Sequence, residues 1–255
     1  MYQNIFDSHA HYDDEQFADD LGELLSSFSS GGITGVISCG VNTETSEFNI
    51  KLSEKYGFIY AAVGFHGLNT ADVPNNYIEV LGRLVNNKKV VAVGEIGLDY
   101  HYEKETRDKQ ISIFRQQIIF ANEHNLPVIV HDREAHEDVL NILKELRPKG
   151  VVHCFSGSVE TAKETLKIGM YIGLGGAVTF KNAVKPVEVA KYVPEDRLLI
   201  ETDAPYMTPV PFRGKRNTSL LIPYTAQRIA EIRGTDAQHI LDVTARNAKE
   251  LFNIK

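Results

Sequence analysis

Cysteine is scarce, long apolar runs are absent, and positive charge is the minority charge in this 255-residue chain. The two cysteines, Cys39 and Cys154, each lie inside an apolar run that reads as strand. They are expected to be small, reduced core residues, and two of them do not make a disulfide framework. No apolar run approaches the roughly 20 residues needed to cross a bilayer, and no basic, apolar leading segment resembles a signal peptide. A soluble, cytoplasmic protein with no membrane partner is expected. With 27 basic against 34 acidic residues the formal charge is -7, which argues against non-specific coating of a long nucleic acid. A local phosphate site remains open. The first candidate turn, HAHYDDEQF, contains no glycine, so it lacks the phosphate loop expected of an open, doubly wound sheet.

What the chain does have is a repeating pattern. With 43% hydrophobic and 24% charged residues it is long enough to bury a full core. Apolar, β-rich runs at residues 5–9, 33–41, 59–66, 90–95, 127–131, 150–154, 170–174 and 198–202 alternate with helical stretches. DVLNILKELRPKG carries Val139, Leu140, Leu143 and Leu146 at helical spacing before Pro148 and Gly150, and TRDKQISIFRQQIIFANEHN carries Ile111, Phe114, Ile118 and Phe120. Apolar strands alternating with helices imply a parallel sheet covered on its outside. Eight such units in about 250 residues predict a (β/α)8 TIM barrel. Two further helices are expected after the eighth strand, SLLIPYTAQRIAEIRG and an extra C-terminal one, DAQHILDVTARNAKELF, with Asp236 as N-cap. No linker or low-complexity tract divides the chain, so 1–255 reads as a single domain.

The chemistry falls at the strand ends, where a barrel builds its active face. FDSHAHYDD ends the first run, and strict alternation puts Asp7, His9 and His11 on one face. Two imidazoles so placed either grip one cation or remain a solvated pair. The later strand ends supply His66, Glu95, His131, His153 and Asp203, whereas His124, His136 and His239 fall on helical stretches. Taken singly, each of these residues suits an ordinary hydrogen-bonding role. As a set, His9, His11, Glu95, His131, His153 and Asp203 predict a metal centre.

FDSHAHYDD, GFHG, VGEIGLDY, PVIVHDREAH, HCFSG, ETDAPYMTP and RGKRN together closely resemble the signature blocks of the TatD family of metal-dependent hydrolases, deoxyribonucleases of the amidohydrolase superfamily. The resemblance runs from Phe6 to the NAKELF segment. It implies a TIM barrel with one or two divalent cations, one held by His9, His11, Glu95 and Asp203, the other by Glu95, His131 and His153. It also implies Mg²⁺-stimulated nuclease activity. The histidine content, by contrast, leans toward Zn²⁺, Mn²⁺ or iron. One departure is visible: the family block carries a proline after the histidine at position 66, and here Gly67 follows.

Two cations sharing a water would lower its pKa and clamp the attacking and departing oxygens. Asp203 is the expected general base, bound through one oxygen and accepting a proton through the other. Glu201, two residues earlier, is expected to orient Asp203 or a histidine from behind, or else to fill the barrel's polar layer. For substrate, the basic cluster Arg213, Lys215 and Arg216 in PFRGKRN, with Arg133 and His66, suits a phosphate; the alternatives are a solvated loop and an Arg133 ion pair. A deoxyribonuclease acting on single-stranded DNA ends, of the 3'-5' exonuclease type, is expected. Tyr12, Tyr100, Tyr102, Tyr206 and Phe212 are candidates either to stack a base or simply to pack. The alternatives are an amide or ester hydrolase, including one acting on an aminoacyl ester of RNA, and a non-enzymatic metal-stabilised scaffold.

Overall fold

Parallel neighbours in a sheet need a crossover long enough to hold a helix, and the alternation above supplies one after almost every run. In the computed structural model, which describes residues 2–68 and 70–255, the strands are β1 (Ile5–Ala10), β2 (Ile33–Cys39), β3 (Ile59–Val63), β4 (Val90–Asp99), β5 (Val128–Arg133), β6 (Gly150–Val152), β7 (Tyr171–Leu174) and β8 (Leu198–Ile200). They lie in the order β1 to β8, each parallel to the next. Around them run α1 (Leu21–Ser27), α2 (Thr43–Lys55), α3 (Tyr77–Leu84), α4 (Arg107–Glu123), α5 (His136–Leu146), α6 (Val159–Lys167), α7 (Val184–Tyr192), α8 (Ile222–Arg233) and α9 (Ala237–Leu251). This is the expected (β/α)8 barrel with an extra C-terminal helix. As expected, the Asp236 side chain caps α9, accepting the His239 N–H at 2.9 Å.

Two buried clusters divide the core. One takes a side chain from every strand (Phe6, Ile37, Ala62, Ala92, Ile129, Val151, Tyr171 and Leu199) and joins them to Ala245 and Ala248 of α9 and to Phe252 just beyond it. These strand residues precede the strand ends, so α9 plugs the opposite end of the barrel from the chemistry. The second cluster packs Val36, Val63, Val93 and Val130 against the helices through Leu81, Phe114, Leu143 and Ile229.

The barrel closes between β1 and the chain just beyond β8. Asp203 N–H donates to His9 O at 3.0 Å, His11 N–H to Ala204 O at 2.7 Å, and Ala10 bridges Ala204. Closure therefore brings the histidines of residues 9 and 11 against residue 203.

One expectation is corrected here. Asp7 does not share a face with His9 and His11, because the β1 register slips between Asp7 and Ala10, and one extra residue reverses which side each later side chain takes. Asp7 is fully buried elsewhere. It accepts from Thr202 Oγ1 and Ser219 Oγ, each at 2.6 Å, and from Thr202 N–H at 3.0 Å. Burial outweighs those bonds and pushes its carboxyl up to about 7. A similar slip between Val93 and Ile96 in β4 lets Glu95 face inward while Ile96 joins the outer cluster.

Candidate active site

Glu95 is the centre of the site, and its two oxygens face different histidines. Oε2 lies 3.5 Å from His9 Nε2 and 3.2 Å from His11 Nε2. Oε1 lies 2.8 Å from His131 Nδ1, 2.8 Å from His153 Nε2 and 3.4 Å from His66 Nε2. Asp203 Oδ1 completes the first half, 3.5 Å from His9 Nε2 and 3.6 Å from His11 Nε2. All six expected ligand positions therefore converge at the strand ends. His9, His11 and Asp203 form one donor group, and His9, Glu95 and His153 another. A third joins His66, Glu95 and His131.

What stands behind each ring decides what it presents in front. His11 Nδ1 is 3.0 Å from Cys39 O, an acceptor, so its hydrogen sits there and Nε2 offers a lone pair. His131 turns Nε2 to Asp99 Oδ2 at 3.1 Å and presents Nδ1 to the Glu95 side. His153 Nδ1 faces Glu201 Oε1 at 3.6 Å, and His9 Nδ1 lies 3.4 Å from Cys39 Sγ. His66 differs: its Nδ1 accepts the Leu68 N–H at 3.0 Å. A neutral His66 therefore carries its hydrogen on Nε2 and is a hydrogen-bond donor toward the centre.

This arrangement fits divalent cations. His9 Nε2 and His11 Nε2 lie 3.0 Å apart, and each comes within 3.6 Å of both Glu95 Oε2 and Asp203 Oδ1, so nitrogen and oxygen donors converge on one point. The electrostatics agree. Burial alone would raise the Glu95 carboxyl, but His153, His66 and His9 around it outweigh burial and hold it well below the usual range. Asp203 is likewise held low, burial being overcome by the hydrogen bond to His11 and by the charges of His9 and His153. Imidazole nitrogen and carboxylate oxygen are the donors such cations take.

Two residues outside the expected site support the rings. Asp99 holds His131, and Cys39, expected only as core, reaches both His9 and His11. Asp99 carried a usable signal, since it is a carboxylate four residues beyond Glu95 and ends β4; the Cys39 contact depends on β2 lying beside β1. Glu201 sits behind His153 rather than Asp203, with Oε1 also accepting the Cys154 N–H. Gly173 makes room for it, since a Cβ there would lie 2.4 Å from Glu201 Oε2.

The centre forms the floor of a cleft of about 380 Å³ whose wall includes Asp13, Asp14, Val41, Asp72, Tyr102, Arg133 and Tyr206. Among the aromatic candidates, only Tyr102 and Tyr206 line it, 61% and 51% exposed. Tyr12 is buried on Ser219, Tyr100 donates to Asp138, and Phe212 packs on Tyr224.

His66 and Arg133 reach the cleft, but Arg213, Lys215 and Arg216 do not. Arg216 forks onto Asp20, donates to Gln16 O at 2.6 Å and lies over the Phe17 ring. Arg213 stacks 3.9 Å from the Phe180 ring centre and donates to Thr208 O. The charge run is real, but each guanidinium has found a local partner.

Gly67 has a steric reason. A Cβ at this position would lie 2.6 Å from Gly97 O and 2.8 Å from Gln110 Oε1, so this loop path accepts neither alanine nor the family proline. Gly67→Ala is expected to destabilise the protein by about 1–3 kcal/mol. An unchanged thermal midpoint would show that the loop relaxes without cost.

The sequence pattern of the TatD related DNase family matches residues 6–253. The uncharacterized metal-dependent hydrolase YabD of Bacillus subtilis is 45% identical over 253 residues, covering 98% of this chain and 99% of that protein. The 3'-5' ssDNA/RNA exonuclease TatD of Erwinia tasmaniensis is 32% identical over 259 residues, with 98% and 100% covered. Among solved structures, the TatD homologue YJJV of Escherichia coli K12 superposes with a TM-score of 0.94 at 32% identity over the whole of both chains. The chain belongs to the TatD related DNase family.

Proposed function

We propose that this protein is a metal-dependent phosphodiesterase of one domain, 1–255, that releases nucleotides from DNA strand ends in the 3'-5' exonuclease manner. The observation that carries the reading is Glu95, which turns one oxygen to each half of a buried histidine cluster at the floor of an open cleft. The exonuclease name of the Erwinia tasmaniensis relative supports the same substrate class. On this reading His9, His11, Glu95 and Asp203 hold one cation, and Glu95, His131 and His153 the other. When bound, the pair supplies Lewis-acid stabilisation of phosphoryl oxygens and an acidified water. Histidine nitrogen favours Zn²⁺ or Mn²⁺ over Mg²⁺.

The chain's own residues perform the rest. Asp203 turns Oδ1 to the histidines, leaving Oδ2 to take the proton of the attacking water. His66, a donor at Nε2, hydrogen-bonds a phosphoryl oxygen as negative charge grows there. Arg133 neutralises a flanking phosphate. A cleft at the end of a closed barrel admits a strand end more readily than the middle of a duplex, which favours single-stranded ends. The proposed compartment is the cytoplasm, where two free thiols remain reduced.

The test strips the protein with chelator, restores Mg²⁺, Mn²⁺ or Zn²⁺ separately, and follows end-labelled single-stranded DNA beside ester and amide substrates. Metal-restored release of nucleotides is expected. Turnover of an ester or amide with DNA left intact would replace this reading with the amidohydrolase one.

A further inference from the structure

The cleft wall is electrically lopsided. Among the described residues, Arg133, at the end of β5, is the only Arg or Lys lining it, and its guanidinium lies 4.7 Å over the Tyr102 ring. Asp13 and Asp14 follow β1, and Asp72 follows β3. In a barrel ordered β1 to β8, β5 stands opposite β1. The single cation and the Asp13–Asp14 pair therefore face each other across the metal centre. Asp99, on the β4 side, is already occupied by His131, His101 N–H and Tyr102 N–H. Asp13 accepts from Asn49 Nδ2, and Asp14 from Gln16 N–H and Tyr206 OH, all of them neutral donors; beside these carboxylates the wall is apolar, with Val41, Leu68 and Val73.

Resting on the phosphodiesterase reading, we infer that this asymmetry selects the chemical end of the strand: the cleft takes a terminal nucleoside with a free hydroxyl and rejects one that carries a terminal phosphate. A nucleic acid strand brings one charge per nucleotide. With the scissile phosphate at the metal centre, the next phosphate inward has Arg133 to meet it. A phosphate on the other side would meet Asp13, Asp14 and Asp72 with no lining cation to offset them. An uncharged nucleoside fits that wall, its apolar surface against Val41, Leu68 and Val73 and its hydroxyl within reach of carboxylate acceptors. The same repulsion opposes threading a strand through the cleft, because phosphates would then flank the centre on both sides. Attack at an end follows from charge as well as from shape.

Repulsion from carboxylates several ångströms away is expected to slow a phosphate-ended strand by on the order of tenfold to a hundredfold. The experiment compares Mn²⁺-loaded protein on single-stranded oligonucleotides that differ only in a 3'-hydroxyl or 3'-phosphate. A second pair, differing only at the 5' end, covers the opposite direction of attack. Hydroxyl-ended strands should be shortened faster at whichever end is attacked, and Asp203→Asn protein should bind them more tightly in fluorescence anisotropy. In Asp14→Asn/Asp72→Asn the ratio between end groups should shrink. Asp14 accepts the Gln16 N–H through Oδ1 and the Tyr206 OH through Oδ2; in Asp14→Asn the amide oxygen keeps the first bond and the NH₂ donates to the tyrosine oxygen in place of the second. Equal rates on both end groups, or a ratio unchanged in the variant, would overturn the inference and leave the nuclease reading standing. No release from any strand would overturn both.

Discussion

Glu95→Gln is expected to empty both cation positions at once. The substitution keeps the shape of the side chain and removes the carboxylate that faces His9 and His11 through one oxygen and His66, His131 and His153 through the other. An amide has one acceptor oxygen to offer, and its NH₂ would point at a lone pair in whichever half it faces. Cation affinity should fall by more than the roughly 10–100-fold typical of losing a supporting contact, and turnover should fall with it. Elemental analysis after dialysis against a defined Zn²⁺ or Mn²⁺ buffer reads the effect. Glu201→Gln is the control. It touches only the His153 side, so it should weaken one position and spare the other. Full occupancy of both positions in Glu95→Gln would remove Glu95 as the shared ligand.

Asp203→Asn is expected to separate chemistry from metal binding. A positioned general base contributes about 10²–10⁴-fold, so kcat should fall by that order while KM and most of the bound metal are retained. The fold should tolerate the change for a backbone reason. Asp203 has φ of 57°, in the left-handed region that asparagine enters more easily than other non-glycine residues. Its N–H bond to His9 O is a main-chain contact that the substitution leaves intact. Near-normal turnover would dismiss Asp203 as the base. Loss of turnover together with loss of metal would recast it as a ligand only.

The two variants rest on different kinds of knowledge about the chain. Asp203 and Glu95 were legible as candidates because each ends an apolar run, and strand ends converge in a barrel. Glu95 as the shared carboxylate came only from family resemblance, and its two-sided geometry only from the structure. The register slips in β1 and β4 explain why. Period-two counting from Asp7 puts the wrong carboxylate beside His9, because a one-residue irregularity carries no mark in composition. His66 is a parallel case. As a residue type it is indistinguishable from His131, and the difference lies in the Leu68 N–H that occupies its Nδ1. The basic loop shows the opposite error: three charges read as free become, for Arg213 and Arg216, packing and ion-pair groups once Phe180, Asp20 and Phe17 are beside them.

The sequence by itself determined the number, order and type of the strands, the presence of helices between them, and the chemical kinds of ligand at their ends. Those follow from local periodicity and from the rule that parallel strands need crossovers, and neither requires knowing what lies far along the chain. The tertiary structure decided which oxygen of Glu95 serves which histidines, which histidine donates, and which cations remain free for substrate. These are questions of partner choice between residues tens to nearly two hundred positions apart. Barrel closure at the β1 seam, with the hydrogen bonds behind each ring, answers them, because a side chain's role is set by the groups that satisfy its other atoms.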